Sequence, residues 1–236
     1  MNPVLEIAAT AIESVLCISA VTEMSGKRYG GRKHLALLLS LAAGMTGVIS
    51  ILNRIQAFSF GTVIVGMLYI VCGTKWSSTG RLLLRVTSCV IVLFFLHSID
   101  YTIGFSSALL LGNSPSIYQG FDYMMHDDKT RLLYTIVNKS FQIVLLIILR
   151  PHLKHFRLLS KRHLWVLLST MLLAYVIMSS LVQMIITDSL YVMQIAVIFS
   201  WLFIMIAMLS CIFIVILFSR YQEEKIETAY PCWPIS

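Results

Sequence analysis

The chain has 236 residues, of which 58% are hydrophobic and only 12% charged, and its mean hydropathy is +0.85. So few charges cannot cover a water-facing surface, which excludes a water-soluble globular domain and implies an all-α, polytopic integral membrane protein. The net charge of +7 does not point to nucleic acid, because the basic residues fall in short clusters between apolar runs, as topology signals do.

A membrane crossing needs about 20 mostly apolar residues, and seven stretches qualify. The first runs from about Pro3 to Thr22 and is interrupted by Glu6 and Glu13; without a basic n-region it reads as a helix of the mature protein, not a signal peptide. The second, about Leu35 to Leu52, contains "AAGMTG", whose Ala43 and Gly47 form a small-xxx-small pair suited to close helix contact. The third spans about Ala57 to Cys72. The fourth, about Leu82 to Leu111, carries His97 and Asp100 and exceeds one crossing, which implies tilt, a bend near Gly104 or an interfacial end.

After it comes "GNSPSIYQGFDYMMHDDK". Its Tyr118, Phe121 and Tyr123 suit interface anchors; with Asp122, Asp127 and Asp128 they also suit a lid or docking loop for an extracellular ligand. The fifth stretch, about Leu132 to Leu149, holds the pair Asn138-Lys139 inside its apolar run. The sixth covers about Leu164 to Ile186 and the seventh about Leu190 to Phe218. The chain therefore divides into a helical membrane domain over 1–218 and a short cytoplasmic tail over 219–236.

The basic residues give the orientation. Lys27, Arg28, Arg32 and Lys33 lie between stretches one and two, and Lys75, Arg81 and Arg85 between three and four or just inside four. Arg150, Lys154, Arg157, Lys161 and Arg162 lie between five and six, and Arg220 and Lys225 follow seven. The alternate connections hold only Arg54, Lys129 and Arg131. Seven crossings with the amino terminus outside and the carboxyl terminus in the cytoplasm satisfy this alternation.

A lysine in hydrocarbon costs roughly 2.5–3.5 kcal/mol on insertion scales, so Lys139 needs a partner or a task. Counted inward from the outer face at ~1.5 Å per residue, Glu13, Asp100 and Lys139 lie at one depth, about 12–16 Å down. His97 is one turn deeper than Asp100, and Glu6 is nearer the outer mouth. A pair between Lys139 and Glu13, Asp100 or both replaces isolated charges by a neutral unit. Such a pair either only fixes which helices are neighbours, or floors an outward-facing cavity, or serves a proton or ion pathway. Glu6, Glu13, His97, Asp100, Asn138 and Lys139 are the candidate ligand-binding or polar-network residues.

Enzyme signatures are missing: there is no HExxH, no GxSxG and no Gly-rich phosphate loop. The cysteines Cys17, Cys72, Cys89, Cys211 and Cys232 form no CxxC pair, and His34, His152, His155 and His163 lie in basic clusters. Neither an enzyme nor a bound metal or other cofactor is expected.

An acidic first span, the fifth span "LLYTIVNKSFQIVLLIILRPHLK", two further apolar spans and the polar helix start "FSRYQEEKIETA" resemble the membrane sensor region of AgrC-like (GHKL-type) peptide-pheromone receptor histidine kinases. The resemblance covers about residues 1 to 228. It implies two-component signal transduction in quorum sensing at a bacterial plasma membrane, an extracellular peptide ligand, and a homodimer or a heterodimer with a full-length sensor kinase. In that family the last span continues into a dimerisation helix with the phosphoacceptor histidine, followed by an ATP-binding domain. Here 18 residues follow Phe218, none of them histidine, so a kinase-less sensor module is expected. The alternative is a small multi-span transporter, or a transporter accessory subunit, using the Glu13, His97, Asp100 and Lys139 set.

Overall fold

The computed structural model describes residues 3–53, 59–110, 126–187 and 191–229. Among these residues seven α-helices follow in order: α1 (Pro3–Ser25), α2 (Gly31–Leu52), α3 (Ser59–Ser77), α4 (Leu82–Leu110), α5 (Asp128–Leu153), α6 (Lys161–Thr187) and α7 (Tyr191–Ala229), with a 3-10 turn at Lys154–Leu158 between α5 and α6. Among the described residues, six of the seven are long and apolar enough to cross a membrane; α3 is the shortest, at 19 residues. The chain is a multi-pass helical membrane protein. Tyr118, Phe121, Asp122, Tyr123 and Arg54 lie outside the described residues.

Most helices outrun their apolar stretches because polar end residues continue the backbone hydrogen bonding into the interface. Thus α1 extends to Ser25 and α2 starts at Gly31. The long fourth stretch is one helix that passes through a buried Gly104 without interruption. Asp127 caps α5, its carboxylate accepting from the Thr130 hydroxyl at 2.5 Å and the Thr130 amide at 2.9 Å; those two bonds hold the Asp127 carboxyl below the usual carboxylate range. Near the other end of α5, Pro151 cannot donate to Ile147, and the helix tightens within a turn into the 3-10 segment.

Helices α1 and α4 form the centre. α1 lies against α2, α3, α4 and α5, and α4 against α1, α3, α5, α6 and α7. One apolar core joins α1 to α4 through Ile18, Val21, Met45, Ile70 and Cys89. A second joins α4, the 3-10 turn, α6 and α7 through Phe94, Phe156, Leu167, Met171 and Trp201.

The basic connections meet at one end of the bundle, called here the basic end. The Arg28 amide donates to Ser77 O and the Thr79 amide to Gly26 O, both at 2.9 Å, tying the α1–α2 turn to the α3–α4 turn. Gly26 has φ +84°, and a Cβ on it would lie 2.7 Å from Arg157 Cδ, so the segment after α5 closes over the same turn. Arg85 is buried and donates from Nη1 to Val71 O of α3 at 2.8 Å.

The small-residue expectation on α2 fails within the chain. Ala43 and Gly47 are exposed, and among the described residues a Cβ on Gly47 would meet nothing within 4 Å. The close approach is at Gly44, where a Cβ would collide with the Tyr69 hydroxyl of α3. Helical phase decides this: α2 presents Leu38, Ala42, Met45 and Thr46 to its neighbours, about 135° around the helix from Ala43 and Gly47.

Candidate functional site

Helix α5 is built inside out relative to a water-soluble helix. Its buried residues are Asn138, Lys139 and Gln142, while Leu133, Ile136, Phe141, Val144 and Ile147 are exposed. In a bilayer this is the stable arrangement, because hydrocarbon gains nothing from covering apolar side chains whereas polar ones must find partners inside the bundle. The sequence achieves it by spacing Arg131, Tyr134, Asn138 and Gln142 three or four residues apart on one face.

That face meets α1 and α4. Lys139 Nζ donates to Glu13 Oε1 of α1, and it lies 3.2 Å from Asp100 Oδ1 of α4 and 3.3 Å from Gln142 Oε1. Asp100 Oδ1 also accepts from Asn138 Nδ2 and from Gln142 Nε2 at 2.8 Å. The Tyr134 hydroxyl donates to the backbone carbonyl of Asp100 at 3.0 Å. Among the described residues, the buried Oδ1 of Asn138 has no hydrogen-bond partner. The ammonium is closed in, with its side chain 8% exposed, whereas the side chains of Glu13 and Asp100 are 38% and 24% exposed.

Two more ion pairs flank this cluster. Arg131 Nη2 lies 2.5 Å from Glu6 Oε1, and Arg150 Nε lies 3.0 Å from Glu23 Oε1, which Lys27 also reaches at 2.6 Å. All three acids are on α1 and all three of their arginine and lysine partners from α5 follow in the same order, so the two helices run parallel with three charged rungs between them.

The candidate residues therefore separate. Glu13, Asp100, Asn138 and Lys139 share one cluster, and Glu6 is a rung away on Arg131. His97 turns elsewhere: its Nδ1 is 3.2 Å from the Tyr175 hydroxyl of α6, and the two rings meet edge to face at 6.1 Å. Three residues along a helix leave an offset of about 60°, enough to aim His97 and Asp100 at different neighbours. Tyr134, Gln142, Arg131 and the Glu23–Arg150 pair were not among the candidates. The three- and four-residue spacing of polar groups along α5 was the signal that could have found the first three.

No protein-family model, curated protein or solved structure matches the chain. Two carboxylates face one ammonium, so with all three ionised the cluster carries one excess negative charge. Among the described residues, no three His, Cys, Asp or Glu side chains are grouped to hold a metal ion. What the cluster offers is an acceptor-rich, partly open patch at which an added proton or cationic group competes with Lys139 for Glu13 and Asp100.

Proposed function

We propose that this chain is a membrane sensor module of the kind found as the input region of peptide-sensing histidine kinases. In this reading it lies in a bacterial plasma membrane with its amino terminus outside and its basic end in the cytoplasm, and it acts as a receptor, not an enzyme. The observation that carries the proposal is that the buried side chains of α5 are all polar and hold it against α1 and α4, with half-buried Leu153 at its end packing on the apolar core. A ligand arriving from outside and touching Glu13 or Asp100 changes that charge balance and with it the seating of α5. The 3-10 turn after α5 carries the shift onward, because its buried Phe156 belongs to the core that α6 and α7 share. Helix α7 is continuous for 39 residues, about 58 Å at 1.5 Å per residue, so it exceeds a hydrocarbon core of about 30 Å and suits a dimerising output helix.

Co-expression with a related full-length kinase tests this. The chain should lower that kinase's response to its signalling peptide, by capture of peptide or by forming heterodimers. An unchanged dose-response curve at confirmed membrane expression counts against the sensor reading.

One observation favours a second reading. An ammonium shared by two carboxylates in the middle of a membrane domain is the composition of a proton or ion relay, as a small transporter or transporter subunit would use. Proteoliposomes that show a proton or ion flux abolished by Lys139→Gln would establish that reading in place of the first.

A further inference from the structure

Between α5 and α7 lies a cleft of about 480 Å³, within the range of about 300–1,000 Å³ typical of ligand-holding cavities. Its floor is Met24, Ile91 and Phe156, all buried, and its rim includes Ile148 and Phe213, which are 61% and 56% exposed. It is thus open sideways, where the bilayer would be. Along α5 it extends from Gln142 to Leu153, a rise of about 16 Å, which matches one leaflet of a hydrocarbon core about 30 Å thick.

We propose that this cleft holds one acyl chain of an anionic phospholipid from the leaflet at the basic end, with the headgroup phosphate at His152 and Lys154. Length, polarity and charge each support that occupant. The ~16 Å run of the cleft along α5 is about half of a hydrocarbon core about 30 Å thick, the depth that one acyl chain occupies. An extended hydrocarbon chain matches that length and those apolar walls. The walls make no demand for a polar ligand: Gln142 Nε2 is engaged by Asp100 at 2.8 Å and the Ser210 hydroxyl by Ile206 O at 2.9 Å. At the mouth, His152 lines the cleft and Lys154 follows it, both exposed, beside Arg150, which Glu23 holds at 3.0 Å. Exposed basic groups at headgroup level favour a phosphate with net negative charge over a zwitterion.

Photo-crosslinking tests this on the purified full chain in nanodiscs, using phosphatidylglycerol or phosphatidylcholine with a diazirine on the acyl chain. The anionic probe should label residues 145–149 and 209–216 in preference to the lipid-facing surface of α6 at 172–177. Replacing His152 and Lys154 together by Gln should lower that labelling about fivefold or more while leaving labelling of α6 unchanged. Labelling spread evenly over all lipid-facing helices, equal labelling by the zwitterionic probe, or crosslinks joining two copies through the cleft would each overturn the proposal.

Discussion

The ammonium of Lys139 on α5 donates to the carboxylate of Glu13 on α1, 126 residues earlier in the chain, at the middle rung of three that join the two helices. Glu6–Arg131 and Glu23–Arg150 occupy the rungs on either side. Because α5 contributes no buried apolar side chain, its seating depends on these polar contacts to a degree that no other helix of the bundle shares.

Charge counting ranks substitutions in the cluster. Lys139→Met strands two carboxylates and should destabilise the protein by about 3–5 kcal/mol. Asp100→Asn leaves one carboxylate facing one ammonium and keeps an acceptor for Asn138 and Gln142, so it should cost distinctly less. Reversible unfolding in mixed micelles measures the order, and a larger loss for Asp100→Asn than for Lys139→Met would contradict the charge count.

The Glu23–Arg150 rung behaves differently. The Arg150 side chain is 63% exposed, where screening by water and salt leaves an ion pair worth only ~0.2–1 kcal/mol. Arg150→Gln should therefore shift stability by less than about 1 kcal/mol, and that shift should shrink as salt is raised. A loss as large as that of Lys139→Met would show that the basic end is as closed to solvent as the middle rung.

Gly80 tests the joined turns at the basic end. A Cβ there would lie 2.6 Å from the Ser25 carbonyl oxygen and 2.9 Å from Ser25 Cβ, and a backbone atom cannot swing aside as a side chain would. Gly80→Ala should cost about 1–3 kcal/mol and expose the 26–30 turn to proteolysis. Gly47→Ala, with nothing among the described residues within 4 Å of the added Cβ, is the matched control and should be neutral in the monomer.

Orientation is checked by labelling intact cells with a membrane-impermeant thiol reagent after introducing Ser116→Cys or Ser160→Cys into a chain otherwise free of cysteine. Ser116 should label and Ser160, beside the clustered bases Arg157, Lys161 and Arg162, should be spared. The reverse pattern would place the basic end outside and remove the outward access to Glu13 and Asp100.

Much of the helical frame is legible in the sequence because apolar runs of membrane length are long and sharply bounded by charge. Depth counting alone brings Glu13, Asp100 and Lys139 to one level, since hydrocarbon thickness and helix rise leave little freedom along the membrane normal. Rotation about each helix axis is less legible. His97 shares a broad face with Asp100 yet bonds Tyr175, and Ala43 and Gly47 turn away from α3 although their spacing suits a contact. Glu23 and Arg150 were hidden for another reason: both lie where an apolar run gives way to a basic connection, and pairing across 127 positions follows only once α1 and α5 are known to be parallel neighbours.

Double-mutant cycles on Lys139 measure the polar seating of α5 most directly. Lys139→Met combined with Glu13→Gln, and separately with Asp100→Asn, should each cost less than the sum of its single changes, with a coupling of at least ~1 kcal/mol for Glu13. Additivity within about 0.3–0.5 kcal/mol in both cycles would contradict it, for Lys139 would then be held by neither carboxylate.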